Sequence, residues 1–256
     1  MLQKERLEKI MNLLQQEKVV YTQQLSEILN VTQKTIRMDF KKMEKANLLE
    51  RVHGGAVLST QQPASFPFLS YRPENQYEKQ LIAKKALSLL KEKDVILLDD
   101  GSTSLELAKL LGDFKITVLT NDILIINELM YKPNVNIYVI GGALKHDGAS
   151  FVINGEDSIQ FIKKYRVNKL FLGTSTIDLE NGLMIFYYGD CSTKRAFMAS
   201  ADEIVCMIDS SKFNHTAFTR IATLEEIDTI ITDAGLPQDE AEKYRDAGVQ
   251  VLYAES

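Results

Sequence analysis

Short apolar segments alternate with helix-like stretches from Tyr77 to the end of the chain, and this alternation restricts the possible folds most strongly. Strands of a parallel sheet are buried on both faces, so they are continuous apolar runs, and a crossover helix joins successive strands. The pattern therefore predicts an α/β domain with a mainly parallel sheet that helices cover on both faces. The predicted strands are 95–98, 116–119, 135–140, 169–172, 204–208, 229–231 and 249–252.

The first sixty residues instead contain three helical patterns in close succession. In the first pattern, Leu7, Ile10, Met11 and Leu14 recur at the spacing of one helical face. Two further helices are predicted, each with a capping threonine and an apolar face: Thr22 with Leu25, Ile28 and Leu29, then Thr32 with Ile36, Phe40 and Met43. A β segment at 19–21 and a hairpin of 48–52 and 56–58 complete a winged helix-turn-helix.

The third helix has a polar and basic outer face, and it follows a tight turn as a DNA-recognition helix does. Arginine, lysine and glutamine can hydrogen-bond base edges in the major groove, and later lysines can contact phosphates. The DNA-binding residues predicted from this face are Gln33, Lys34, Thr35, Arg37, Lys41 and Lys42.

The charge of the chain is unevenly distributed, which supports this interpretation. The net charge is −5, but residues 1–60 carry a net +3 and the remainder a net −8. A mildly basic N-terminal region followed by an acidic remainder fits a DNA-binding module attached to a domain with another function. With two cysteines, a charged N-terminus and no long apolar run, the expected location is the reducing cytoplasm.

A change of composition separates the two regions. Residues 59–76 contain three of the five prolines together with several serines and glutamines, which is typical of a linker. The predicted organisation is therefore a winged helix-turn-helix at 1–58, a linker at 59–76 and an α/β effector-sensing domain at 77–256.

Small polar residues and glycines follow the predicted strands, where ligands of open α/β sheets bind. Backbone N–H groups exposed at such turns suit a phosphate, to which Lys212 can add a positive charge. The carboxylates of Asp99 and Asp209 can accept hydrogen bonds from sugar hydroxyls. The turns are 99–104, 120–122, 141–142, 173–175 and 209–212.

Both regions resemble the DeoR family of bacterial transcriptional regulators, and the resemblance covers nearly the whole chain. In the N-terminal region the matching residues are Val31, Thr35, Ile36, Arg37, Asp39, Arg51, His53, Gly54, Gly55 and Ala56. The resemblance adds His53 and Met38 to the DNA-binding residues. Met38 stands where the family usually has a second arginine, and Asn47 where it usually has glycine. The missing arginine removes one phosphate or base contact, so the family's pattern predicts DNA binding but not the exact operator sequence.

The resemblance also implies the nature of the C-terminal domain. The family's domain is related in fold to ribose-5-phosphate isomerase and usually senses a sugar phosphate, which relieves repression. The matched motifs include Leu98-Asp99, Phe171-Leu172-Gly173 and Lys194-Arg195, with Asp190 before the last of these. The implied effector-binding residues are Asp99, Gly101, Ser102, Thr103, Ser104, Thr120, Asn121, Gly141, Gly142, Lys194, Asp209 and Lys212, with Lys79 as a lesser candidate.

Three functions remain open at this point. The first is a repressor that binds operator DNA as a homo-oligomer and releases it when a phosphorylated sugar binds. The second is a sugar-phosphate isomerase with a DNA-binding appendage, although no clustered carboxylate motif of an isomerase is present. The third is a DNA-binding protein whose α/β domain serves only for oligomerisation. No metal-ligand spacing and no nucleotide-binding motif occurs, so neither a metal nor a cofactor is expected.

Overall fold

The computed structural model describes residues 6–7, 9–10, 13–14, 19–45, 49–52, 54–58, 75–146, 151–186 and 191–255. The chain divides into two compact units, Met1–Arg72 and Pro73–Ser256. Of the predicted linker, only Asn75 and Gln76 belong to the described residues, and Gln76 is already helical. Asn47, His53 and Asp190 lie outside the described residues, as do Met11 and residues 59–74.

The first unit has the elements of a winged helix-turn-helix. Residues 6–7, 9–10 and 13–14 are helical, and two complete helices follow, α1 (Thr22–Ile28) and α2 (Gln33–Lys45). Strands β2 (Leu49–Val52) and β3 (Gly55–Leu58) form the predicted antiparallel hairpin. Strand β1 (Val19–Tyr21) pairs with the other side of β3, which gives the sheet order β1-β3-β2.

The core of this unit confirms most of the predicted apolar faces. Ile10, Leu14, Leu25, Leu29, Ile36, Phe40 and Met43 are buried. Ile28 was expected to face inward but is 55% exposed, because Leu25 in the short helix α1 and Leu29 at its C-cap already supply the buried face.

The two capping threonines have different outcomes. The Thr32 prediction is confirmed, since the Thr35 backbone N–H donates to Thr32 Oγ1 over 3.2 Å. The Thr22 prediction is wrong, because Thr22 is the first residue of α1, and Tyr21 occupies the cap position without a side-chain hydrogen bond. The Thr22 N–H is instead satisfied by the carbonyl of Gly54 at the tip of the wing hairpin.

A buried ion pair joins the start of the chain to α2. Arg6 Nε donates to Asp39 Oδ2 over 2.5 Å, and Arg6 Nη2 donates to Asp39 Oδ1 over 3.1 Å. Asp39 is 1% exposed, so its charge needs this bidentate partner. The pair fixes the inner face of α2 against the N-terminal helical residues and leaves the opposite face outward.

The second unit is built on a seven-stranded sheet in which every neighbouring pair is parallel. Its strands are β4 (Val95–Leu98), β5 (Ile116–Thr120), β6 (Val135–Val139), β9 (Val167–Leu172), β12 (Ala201–Met207), β14 (Thr229–Thr232) and β15 (Gln250–Tyr253). These are the seven predicted strands, with ends shifted by up to three residues. The predicted parallel α/β sheet is therefore confirmed.

Helices cover both faces of this sheet, as the continuous apolar strands require. Within β4, Leu97 packs into one hydrophobic cluster while Ile96 and Leu98 pack into the other. The helices are α3 (Gln76–Leu87), α4 (Ser102–Leu110), α5 (Ile123–Leu129), α6 (Glu156–Ile162), α7 (Cys191–Ser200) and α8 (Gln238–Asp246). None of the helices in the described part of the chain has the length and apolarity needed to cross a membrane.

The strand order creates a switch point between two central strands. The order is β15-β14-β12-β9-β4-β5-β6, so the chain builds the sheet outward from β4 in one direction and then from β9 in the other. At such a point the connections leave on opposite sides, and a crevice opens at the carboxyl ends of the two strands. The turns after β4 and β9 are therefore the expected location of a ligand.

Two small antiparallel sheets lie outside the predicted pattern. One pairs β7 (Ala143–His146) with β8 (Phe151–Asn154), and the other has the order β10-β11-β13, formed by Thr176–Asp178, Gly182–Ile185 and Thr219–Ala222. These strands contain only three or four residues each, and most of them are not continuous apolar runs like the strands of the large sheet. The sequence therefore did not reveal them.

Candidate functional site

The outer face of α2 presents a stripe of side chains to solvent. Lys34 lies three and four positions before Arg37 and Met38, and Lys41 lies four and three positions after them, so the four residues share one helical face, and all are exposed. Met38 is 64% exposed, so an apolar side chain lies in the middle of a basic stripe. Arg37 Nη2 donates to Gln33 Oε1 over 3.3 Å, which steadies the guanidinium near the N-terminal end of the helix.

The other predicted DNA-binding residues are placed less uniformly. Gln33 and Lys42 are exposed, whereas Thr35 is half-buried and its Oγ1 lies 2.9 Å from Thr32 Oγ1. Thr35 therefore takes part in the helix cap as well as facing the surface. His53 lies outside the described residues, and its role stays a prediction.

In the second unit, a buried lysine and two carboxylates meet at the switch point. Lys194, from α7, donates through Nζ to Asp99 Oδ2 over 2.5 Å and to Asp100 Oδ1 over 2.8 Å. The Gly173 N–H, which follows β9, donates to the same Asp99 oxygen over 3.0 Å. Lys194 is 5% exposed and Asp99 is fully buried, so the cluster lies beneath the surface at the carboxyl ends of β4 and β9.

Burial and charge act in opposite directions within this cluster. Burial raises the pKa of Asp99 to about 7, against the opposing attraction of Lys194. Burial also disfavours the charged form of Asp100, but the Lys194 ammonium outweighs it and lowers the pKa of that carboxyl. The two carboxylates together raise the pKa of Lys194 despite its burial. Lys194 is therefore a fully engaged cation with little charge left for a ligand.

The close approach of the two turns requires glycine at position 173. A Cβ on Gly173 would lie 2.8 Å from the carbonyl oxygen of Asp100, which is closer than real side chains approach backbone. The glycine thus allows the turn after β9 to lie against the turn after β4. This contact brings Gly173 and Asp99 together although 74 positions separate them.

A second group surrounds Asp209, which follows β12. Its Oδ1 accepts from Asn75 Nδ2 over 2.9 Å, from Ser211 N over 3.3 Å, and from the Ser211 hydroxyl. Its Oδ2 is buried and has no hydrogen-bond partner among the described residues. A cation also lies close by: Lys212 Nζ is 4.0 Å from Oδ2 and 3.4 Å from the carbonyl oxygen of Thr174. Lys212 therefore spans the edge of the sheet between the turns after β9 and β12.

The start of α4 presents backbone N–H groups at the same edge. The cap residue Gly101 makes no side-chain cap, and its N–H donates to Asp122 Oδ2 over 3.2 Å. Asp122 also caps α5 by accepting from the Leu124 N–H over 2.7 Å, and its burial raises its pKa to about 6. The first-turn amides at Ser102, Thr103 and Ser104 have no carbonyl partner within their own helix.

The remaining predicted effector-binding residues contact neighbouring residues of the same unit. Asn121 Nδ2 donates to the Ile153 carbonyl over 3.1 Å and to Asn154 Oδ1 over 3.0 Å, which holds the β7–β8 hairpin against β5. Thr120 Oγ1 accepts from the Asp122 N–H. At the third turn, the Gly141 carbonyl accepts from the Ser158 hydroxyl, and a Cβ on Gly142 would lie 2.5 Å from that hydroxyl. A direct contact of these four residues with an effector stays a prediction.

Sequence reasoning missed four residues that the structure places at this edge: Asn75, Asp100, Asp122 and Thr174. Asp100 and Asp122 stood inside the turns that were singled out, and an acidic residue beside a candidate is a signal that could have found them. Asn75 gave no such signal, because it stands at the end of a proline-rich stretch. Lys79 is buried in α3, one turn after Asn75.

The family of the chain follows from comparison with known proteins. A DeoR-like helix-turn-helix domain matches residues 6–62, and the DeoR C terminal sensor domain matches residues 74–234. The chain belongs to the DeoR family. It is therefore a DNA-binding transcriptional regulator whose C-terminal domain is a sensor, and the resemblance inferred from the sequence is confirmed.

Relatives match over almost their full length. An uncharacterized HTH-type transcriptional regulator of Bacillus subtilis, YulB, is 34% identical over 98% of this chain and 96% of its own. The putative aga operon transcriptional repressor of Escherichia coli O157:H7 is 32% identical over 97% of this chain and 93% of its own. The glycerol-3-phosphate regulon repressor of E. coli K12 is 30% identical over 98% of this chain and 99% of its own.

Among solved structures, ribose 5-phosphate isomerase A of Methanocaldococcus jannaschii matches 55% of this chain and 55% of its own. The TM-score is 0.40 and the identity is 18%. The assignment of the α/β fold rests on the strand order described above and not on this overlay.

Proposed function

We propose that this DeoR-family regulator is a repressor of carbohydrate-metabolism genes that releases its operator when a phosphorylated sugar binds at the carboxyl edge of the sheet. Two relatives bear the names of an aga operon repressor and a glycerol-3-phosphate regulon repressor, which supports a carbohydrate-linked role. The observation that carries the proposal is the pair of Lys212 and Asp209. Lys212 supplies a half-exposed ammonium, and Asp209 supplies a buried carboxylate oxygen that lacks a hydrogen-bond donor within the described residues.

The two groups have complementary chemistry for such a ligand. A phosphate carries only acceptors at neutral pH, so it needs the Lys212 ammonium and the first-turn amides of α4. A sugar hydroxyl can donate, so it can satisfy Asp209 Oδ2. Lys194 is already neutralised by Asp99 and Asp100, and its place is in the supporting floor of the site.

The first prediction tests Lys212 with defined probes. The wild type should be thermally stabilised by at least one of ribose 5-phosphate, glucose 6-phosphate, fructose 6-phosphate and glycerol 3-phosphate. The unphosphorylated compounds and inorganic phosphate alone should have a much smaller effect. Lys212→Ala should weaken binding of the stabilising probe by roughly 10- to 150-fold, since a charge-assisted hydrogen bond contributes about 1.5–3 kcal/mol.

The matched control is Lys243→Ala, which removes another half-exposed lysine that pairs with an acidic residue three positions earlier. It should bind the probe as the wild type does, and both variants should retain operator affinity without a probe. Unchanged probe binding by Lys212→Ala would show that the phosphate lies elsewhere. Turnover of a sugar phosphate by the purified protein would favour the isomerase alternative. Failure of every phosphorylated sugar to bind would favour an α/β domain that serves only for oligomerisation.

The second prediction concerns assembly. We propose that the protein acts in the cytoplasm as a homo-oligomer on its operator, because a single winged helix contacts too little DNA for tight specific binding. An operator duplex can be selected from a random library with the purified protein. Sedimentation of the complex should then give at least two chains per duplex, and one chain per duplex at full affinity would refute the proposal.

A further inference from the structure

The side chain of Asn75 connects the end of the linker to the candidate effector site. Residues 59–74 precede Asn75 in the chain, and α3 begins directly after it. Its Nδ2 donates to Asp209 Oδ1 over 2.9 Å and to Ser211 Oγ over 3.0 Å, across 134 and 136 positions of sequence. The residue that follows the DNA-binding region and its linker is thus bonded to the carboxylate assigned to the effector.

The backbone of Asn75 gives this contact a defined geometry. Asn75 has φ 57° and ψ 43°, a left-handed conformation that asparagine tolerates better than most residues. Its carbonyl accepts from the Lys79 N–H over 3.1 Å, which is the first hydrogen bond of α3. One residue therefore sets both the direction in which the chain enters the domain and the start of a helix that packs on the sheet.

The two oxygens of Asp209 have unequal surroundings. Asn75 and Ser211 supply the donors to Oδ1, whereas Oδ2 has no donor among the residues that the structure describes. A carboxylate is planar and rigid, so a donor that binds at Oδ2 and turns the group also moves Oδ1. Any such rotation changes the length or angle of the bond to Asn75.

We propose that Asn75 is the residue that couples the effector site to the DNA-binding region, through its hydrogen bond to Asp209. This inference rests on the proposed function for the identity of the effector. The coupling itself is proposed to run through the hydrogen bond between Asn75 and Asp209, and it can be tested without an effector. Coupling between two sites is reciprocal, so operator binding must change effector affinity by the same factor by which the effector changes operator affinity. If the hydrogen bond to Asp209 carries this coupling, we expect operator binding to change the local stability of the turn at 209–212. The effect of operator binding on this turn can be measured with operator DNA alone.

Two substitutions test the side chain while they preserve the backbone. Asn75→Gly removes the amide and suits the left-handed conformation, so α3 should start as before. Asn75→Asp keeps the shape but places a second carboxylate against Asp209. The matched control is Asn214→Gly, because Asn214 also has a left-handed backbone, φ 58°, and its Nδ2 donates to a carboxylate, Glu240, away from Asp209.

The experiment measures amide hydrogen exchange of the full chain with and without the selected operator duplex. In the wild type and in Asn214→Gly, operator binding should change the exchange rate of the 209–212 amides at least threefold. In Asn75→Gly and Asn75→Asp, that change should disappear although the duplex is bound. Absence of a change in the wild type, or an undiminished change in Asn75→Gly, would overturn the inference.

An effector arm separates this inference from the proposed function. With the phosphorylated sugar that stabilises the wild type most, the factor by which it weakens operator binding should fall severalfold in Asn75→Gly. Thermal stabilisation by that sugar should persist in the variant. If the sugar binds and releases operator from Asn75→Gly as from the wild type, the inference fails and the proposed function stands. If no sugar phosphate binds the wild type, the proposed function fails while the exchange experiment still decides the coupling.

Discussion

Lys194→Met is expected to lower the free energy of unfolding of the α/β unit by about 3–5 kcal/mol near neutral pH, the usual cost of leaving a buried charge without its partner. Methionine has nearly the length of lysine, so it fills the same space without the ammonium. Asp99 and Asp100 then lose the cation that lies 2.5 Å and 2.8 Å from their oxygens. The effect is expected to be large because the Asp99 carboxylate is fully buried.

The loss of stability in Lys194→Met should increase as the pH rises. Without Lys194, burial raises the pKa of both carboxyls in the folded state above the unfolded value, which is about 3.9. The folded state then binds more protons than the unfolded state between that value and neutrality, so stability falls as pH rises through this window. The deficit of Lys194→Met should therefore be smaller at pH 5 than at pH 7 and above.

Denaturant unfolding of the variant and the wild type at several pH values provides the measurement. The matched control is Lys169→Met, which removes a less buried lysine from strand β9 of the same sheet, where it pairs with the half-exposed Glu203. Its cost should be about 1 kcal/mol or less, as for surface ion pairs. A deficit for Lys194→Met no larger than that of the control, or one that stays constant with pH, would contradict the account of the cluster.

Arg37→Ala is expected to weaken operator binding by roughly 10- to 100-fold, which corresponds to about 1–3 kcal/mol for a bidentate contact with a guanine. The expectation rests on the position of Arg37 in the exposed stripe of α2, where Gln33 steadies its guanidinium. Alanine favours the helix, so the fold of the first unit should persist. The loss should be concentrated on one base pair of the operator.

Titrations with the selected operator and with single-base variants measure both features. For the wild type, changing the base pair read by Arg37 should cost affinity, and for Arg37→Ala the same change should cost little. Lys41→Ala should instead weaken binding to all duplexes alike and reduce the dependence on salt. Arg166→Ala is the matched control, since Arg166 is an exposed arginine of the α/β unit that pairs with Asp202. Normal operator affinity of the Arg37→Ala variant would contradict the assignment of α2 as the helix that binds in the major groove.

The amino-acid sequence alone determined the class of the fold and the strands of its large sheet. The seven strands of the large sheet were predictable because buried parallel strands are continuous apolar runs, and α2 was predictable because Ile36, Phe40 and Met43 repeat at helical spacing. The local hydrogen bond from Thr35 N to Thr32 Oγ1 was predictable for the same reason, since it joins residues three positions apart. The family motifs in the turns then indicated which strand ends to inspect.

Only the tertiary structure decided which of these residues meet. Lys194 reaches Asp99 across 95 positions, and Asn75 reaches Asp209 across 134. Such contacts depend on the strand order, which places β9 beside β4, and on the close approach that Gly173 permits. They also give two residues surroundings that the sequence did not indicate. Lys194 pairs with Asp99 and Asp100, and Asn75, an inconspicuous linker residue in the sequence, bonds to Asp209. Periodicity and capping act over one or two turns of chain, whereas the position of a buried charge is set by how distant segments pack.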